Sequence, residues 1–257
     1  MIKVYKQEIK RALTSVEYWF IFILIIVTSV WTAIYHLDQY GVLYKTKIGA
    51  AEFFYACVML GNTYLQISAP VIPIFVSAHA SGIFDNASSS FFHKEKRDTL
   101  TRVFSTITIS ASVFFFSFFL IALVGIFYYP NSTGDITQIG GPFSDVYYQL
   151  PFSIIPIMIL FSCIFASVYS VLGMGIGMNL KKNKMLALFI PLIYYFCFNY
   201  ITLLMPPKFQ SILYWILPLD TFNLVGTGIP LYKKIIELIF VLIAGIVLIL
   251  ISNRKKK

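Results

Sequence analysis

The sequence predicts an all-α integral membrane protein with six transmembrane helices. Three observations carry that prediction. Only 12% of the 257 residues are charged and 58% are hydrophobic, whereas a soluble domain carries about 25% charged residues. Apolar runs near the ~20 residues that cross a bilayer core recur along the chain. The net charge of +9 is gathered in the short segments between those runs, which makes it an orientation signal first.

The elements follow in chain order. Residues 1–17 mix Lys3, Lys6 and Lys10 with Ile2, Val4, Ile9 and Leu13. That pattern suits a basic amphipathic helix lying in the membrane interface; a plain cytoplasmic tail is the blander alternative. Residues 18–35 form the first span, with Tyr18 and Trp19 at one interface and Trp31 and Tyr35 at the other. Residues 36–47 read as a polar loop. The second span, residues 52–80, is longer than a perpendicular crossing and carries Pro70 and Pro73 as kink points. Residues 81–105 are polar and basic.

Residues 106–129 form a Phe-rich third span, and residues 130–149 a loop with Asp135 and Asp145 but no Lys or Arg. The fourth span covers residues 150–180. Its Gly173-Met-Gly-Ile-Gly177 run lacks the strand–helix setting of a nucleotide fingerprint. Close helix packing through small residues is the expectation there. Residues 185–205 form the fifth span. Pro218, Gly226, Gly228 and Pro230 interrupt the next stretch, so residues 206–230 read as short re-entrant outer helices, covered by protein or a water-filled cavity. Residues 235–252 form the sixth span. No soluble domain is large enough to fold alone, so the chain is expected to be one membrane domain, 1–257.

With the N-terminus inside, fifteen basic residues fall on the cytoplasmic side and five outside. This obeys the positive-inside rule and places both termini in the cytoplasm. The Lys-, Ile- and Phe-rich composition is compatible with a bacterial cell membrane.

Chemistry-bearing groups are sparse. The chain has no His-Glu-x-x-His, no adjacent carboxylate pair and no phosphate-binding Gly-x-x-x-x-Gly-Lys-Ser/Thr loop. No catalytic residue, metal site or cofactor is expected, and no basic stripe on a soluble fold points to nucleic acid. Cys57, Cys163 and Cys197 sit singly in apolar runs and read as buried free thiols. Asn62 and Gln66, and Asn199 and Thr202, are polar residues within spans. They either hydrogen-bond between helices or line a path for an amphipathic substrate. Glu237 is expected to snorkel or to pair with Lys233 or Lys234.

The segment between spans two and three carries a resemblance. Asp98-Thr99-Leu100-Thr101-Arg102-Val103-Phe104-Ser105-Thr106 looks like the Glu-x-x-x-Gly-Thr-Leu-x-x-Leu-Leu-Ser-x-Pro-x-Ser-Arg segment of the type-2 ABC exporter permeases. Asp98 stands where that family has Gly, Ile107 replaces its Pro, and the Ser-Arg end is missing. The six-span layout is similar over essentially the whole chain.

The resemblance implies a permease subunit without a nucleotide site, driven by a separate ATP-binding cassette ATPase subunit. It implies a coupling helix over residues 99–106 that docks on that ATPase through Thr99, Leu100, Arg102, Val103 and Phe104. Residues 3–14 would be a connecting helix, and residues 206–230 would cap the pathway. A second permease subunit, identical or similar, would complete the pathway among membrane lipids. The cargo would be hydrophobic or amphipathic: a peptide, lipid or drug. The rival expectation is a polytopic membrane protein without transport, such as an assembly factor, sensor or lipid-modifying enzyme.

Overall fold

A computed structural model of the chain describes residues 2–44, 49–60, 71–80, 96–129, 143–180, 189–190, 193–194, 204–206, 208 and 230–254. The described elements are all helical. Helix α1 is Ile2–Leu13, α2 is Val16–Tyr44, and α3 is Ala50–Tyr55, which continues as a π-helical turn at Ala56–Leu60. Helix α4 is Val71–Ala80, α5 is Lys96–Tyr128, and α6 is the short Ser144–Gln149. A 3₁₀ turn at Pro151–Ser153 leads into α7, Ile154–Asn179; α8 is Leu231–Arg254.

Three of these helices are long and apolar enough to cross a membrane: Thr99–Tyr128, Pro151–Asn179 and Leu231–Arg254. A fourth is added if α1 and the first half of α2, bent by 58° at their junction, count as one broken span. The expected spans 52–80 and 185–205 and the expected re-entrant stretch 206–230 fall partly or largely outside the described residues.

Two boundaries differ from the sequence reading. Helix α2 runs on through residues 36–44, where a polar loop was expected. No proline interrupts that stretch, so nothing in its chemistry stops the ladder. Helix α5 begins at Lys96 and carries the expected coupling segment and the third span as one 33-residue helix. It holds no proline, and its first glycine is Gly125. Its hydroxyls fold back onto preceding carbonyls: Ser105 Oγ donates to Arg102 O at 3.0 Å, Thr108 Oγ1 to Phe104 O at 2.9 Å and Ser112 Oγ to Ile109 O at 2.8 Å. These three hydroxyls are thereby satisfied without leaving the helix, whereas Ser110 Oγ is buried and makes no hydrogen bond among the described residues.

Pairwise contacts give each helix a direction. Helices α2 and α5 run parallel, since Tyr18 Oη meets Ser112 Oγ at 3.0 Å and Ser117 Oγ donates to Phe22 O at 3.4 Å. The α3 and α4 segments run against α5. Phe53 packs on Tyr129 and Phe54 on Phe118, and further along Ile74 and Ser77 reach Gly173. Helix α7 is antiparallel to α5, with Thr106 against Met174 and the Cys163 thiol donating to Ala111 O at 3.4 Å. Helix α8 is parallel to α7: Tyr169 meets Glu237, and farther along Ser252 Oγ donates to Met178 O at 3.1 Å.

Arg11, Arg102 and Arg254 accordingly belong to the same end of the bundle, here called basal. Asn179 closes α7 at that end, while Leu231 opens α8 at the other.

Helix α7 is the packing centre, and glycines set its spacing. A Cβ on Gly173 would lie 2.8 Å from Ile74 Cα; one on Gly175 would lie 2.7 Å from the Gly245 carbonyl oxygen; one on Gly245 would lie 2.8 Å from Leu172 N. These neighbours are backbone atoms with little freedom to move. The expected small-residue packing of the Gly173–Gly177 run is therefore present at Gly173 and Gly175. Asn179 closes the seam, donating from Nδ2 to Gly175 O at 2.9 Å and to Leu248 O at 2.8 Å.

Replacing Gly245 with Ala forces backbones apart and is expected to destabilise the bundle by about 1–3 kcal/mol. The Gly125→Ala change meets the Phe53 ring edge at 3.0 Å and should be milder, because a side chain can yield. Thermal melting of the detergent-solubilised protein checks the contrast; equal melting of Gly245→Ala and wild type contradicts it.

Candidate functional site

The basal site is built from α1 and the first turns of α5. Amphipathic spacing folds α1 and gives it a packed face, with Ala12 buried and Ile9 set against the core. The chain then turns sharply at Thr14 and Ser15. Thr14 Oγ1 donates to Lys10 O at 3.0 Å, Ser15 Oγ donates to Ala12 O at 2.8 Å, and Tyr18 N–H donates to Ser15 Oγ at 3.2 Å. Trp19 Nε1 donates to Leu13 O at 2.8 Å. These bonds satisfy groups that a helix break leaves open, so α1 and α2 form a fixed elbow.

Two contacts fasten this elbow to α5. Tyr5 Oη lies 2.9 Å from Thr108 Oγ1. One turn along α1, Glu8 lies beside Arg102 and Arg11. Burial pushes the Glu8 carboxyl above its ordinary value of 4.5, and the two guanidinium groups pull in the opposite direction without cancelling the rise. Its Oε2 atom is buried and accepts no hydrogen bond among the described residues.

The five expected docking residues divide by environment. Val103 is half-buried against Val171, Met174, Met178 and Ile249. Thr99 and Arg102 are half-buried. Leu100 and Phe104 are 57% and 56% exposed and, four residues apart, share one face. Helix α5 has 33 residues, roughly 50 Å at ~1.5 Å each. A hydrocarbon core is only ~30 Å thick. A perpendicular crossing therefore needs only about 20 of these residues, and the stretch apolar enough to cross, Thr99–Tyr128, includes both Leu100 and Phe104.

The expected pathway residues Asn62, Gln66, Asn199 and Thr202 lie outside the described residues, as does Cys197. Cys57 is buried and Cys163 half-buried, both as free thiols.

A second polar site was missed. Glu237 does not snorkel to the surface: it is 2% exposed, as is Lys234 one turn before it. Tyr169 Oη donates to Glu237 Oε1 at 2.7 Å. The residue-type signal was present, since an ionisable residue inside a span is a site by default. Its partner, 68 residues away on another helix, was not visible. Beside this cluster, an apolar groove of about 400 Å³ separates the N-terminal halves of α7 and α8, with Leu160, Phe161, Ile235 and Ile239 among its lining. Glu52, also buried, accepts from Gly49 N–H at 2.8 Å and closes the start of α3.

No protein-family model matches the chain, nor does any curated protein or any solved structure.

Two outcomes follow from these contacts. An acid whose pKa is raised on folding binds more protons folded than unfolded. The α1–α5 contact should therefore tighten as pH falls from 8 toward 4.5 and loosen as pH rises through the raised Glu8 value. Amide hydrogen exchange of residues 2–13 reads this; Glu8→Gln should flatten the profile, and an unchanged profile in that variant would exclude Glu8 as the source. Removing the phenol with Tyr169→Phe should cost about 0.5–3 kcal/mol, the range for hydrogen bonds to neutral and charged acceptors. A melting temperature equal to wild type would show that bond to be energetically idle.

Proposed function

We propose that the chain is the membrane subunit of an ABC-type exporter of the type-2 permease class, working with an ATPase made as a separate polypeptide. One observation carries the reading: an exposed apolar pair, Leu100 and Phe104, stands at the end of an unbroken helix longer than a bilayer core requires. Exposed apolar side chains at that end offer a surface to a protein partner, and a continuous helix passes a push on them straight into the bundle.

Further support comes from direction and charge. The alternation of α2, α3–α4, α5 and α7, the parallel run of α7 and α8, and the same-end grouping of Arg11, Arg102 and Arg254 suit six spans with both termini in the cytoplasm. Residues 1–257 would then form one permease domain, and two such chains, identical or similar, would enclose the pathway. The groove between α7 and α8 is wholly apolar in character, which suits a hydrophobic or amphipathic cargo such as a peptide, lipid or drug. Thr99, Leu100, Arg102, Val103 and Phe104 would form the docking segment, with Val103 anchoring it inward and Leu100 and Phe104 meeting the ATPase.

Co-purification from native membranes tests the reading. Leu100→Asp and Phe104→Asp should each reduce the recovered ATPase at least tenfold, while the melting temperature of the permease stays near wild type. Unchanged recovery would remove the docking assignment. Full biological activity of the chain with no nucleotide hydrolase bound would favour the rival without transport.

A further inference from the structure

Helix α1 carries a second face that the contact with α5 leaves uncovered. Lys3, Lys6 and Lys10 are all exposed and share one side of the helix at i, i+3, i+7 spacing. Ile2 and Leu13, 72% and 41% exposed, lie three turns apart along the row beside them. The same apolar edge continues round the elbow through Val16 and Phe20, which are also exposed. Because α1 is bent by 58° from α2, it lies closer to the membrane plane than to its normal when α2 stands upright. Tyr5 and Glu8 hold the opposite side on α5, so the helix cannot roll to bury its lysines. An apolar edge flanked by a row of ammonium groups, fixed at the level where α2 enters the bilayer, is the pattern of a helix seated among headgroups.

We propose that Lys3, Lys6 and Lys10 form a contact for phosphate-bearing anionic lipids of the leaflet at the basal end. The occupant follows from charge complementarity: three cations in a row, next to apolar side chains that take up the upper part of the acyl region. A soluble acidic partner would match the lysines and leave Ile2 and Leu13 in water. The lipid contact also has a mechanical consequence. Because α1 is fastened to α5 at Thr108 and near Arg102, headgroups that hold α1 also hold the base of α5. Anionic lipid thereby sets the resting position of the exposed Leu100 and Phe104 pair, whichever partner docks there.

The test uses the full chain in bilayers, with Trp19 as reporter, because its indole is pinned to Leu13 at the end of α1. Trp31→Phe and Trp215→Phe leave Trp19 as the single tryptophan. Quenching by acyl-brominated phosphatidylglycerol is compared with quenching by acyl-brominated phosphatidylcholine at equal mole fraction. One lysine near an anionic surface contributes about fivefold in affinity, so at least a fivefold preference for phosphatidylglycerol is expected, shrinking as salt is raised. The triple variant Lys3→Gln, Lys6→Gln, Lys10→Gln should lose the preference while phosphatidylcholine quenching stays unchanged, which also reports that the elbow is intact. Should the tryptophan variants fail to fold, lipid retained by the wild-type and triple-lysine chains after extraction from a mixed bilayer gives the same comparison. Equal quenching or retention of the two lipids, or a preference that survives the triple variant, overturns the proposal. Displacement by inorganic phosphate at matched ionic strength would also overturn it, pointing to a free-anion site.

Discussion

Helix α7 touches two neighbours backbone to backbone, and the rest of the bundle depends on that approach. Within a bilayer, lipid tails are as apolar as leucine, so no hydrophobic force gathers the helices. What remains is dispersion from close contact together with hydrogen bonds that water does not compete for. Gly173 admits α4, and Gly175 and Gly245 admit one another's helices. Once these backbones are in place, Asn179 can reach Leu248 O and Ser252 can reach Met178 O. The parallel run of α7 and α8 is then fixed, and with it the side of the bundle on which each terminus of those helices lies.

Helix α5 links this rigid centre to the basal face. Its upper half packs through Val113, Phe114, Phe118 and Ile121. Its lower half packs through Val103 and Ile107 onto α7 and α8. Helix α1 is bonded to the same lower half and joined to α2 through a capped elbow. A load applied near Leu100 therefore reaches α7 and α8 directly and α2 through α1. Two routes from one point favour rigid-body motion over local bending.

Much of this was legible in the sequence because it rests on local pattern. The glycine spacing at 173 and 175, the amphipathic stripe of α1 and the apolar runs of α5, α7 and α8 are all one-dimensional signals. The extent of α5 was not read: a polar segment and a separate span beginning at Thr106 were expected, and the two join into one helix that holds no proline. What could not be read was pairing across the chain. Tyr5 with Thr108, Glu8 with Arg102 and Tyr169 with Glu237 join residues far apart in sequence, and no spacing rule brings them together. Glu237 was expected to snorkel or to pair with the lysines on its own helix; the tyrosine that hydrogen-bonds it in the interior lies on α7.

A push at Leu100 can reach the bundle only if α5 is one stiff rod from its basal end upward. Spin labels at Leu100 and Leu120, both exposed, lie on a basal and an upper turn of that helix. Twenty residues of continuous α-helix set a separation of about 30 Å. Pulsed dipolar spectroscopy of the protein in bilayers should return a single narrow distribution at that distance. A broad distribution, or one shortened by a bend near Thr106, would contradict the account, since a push at Leu100 would then be absorbed before it reached the membrane.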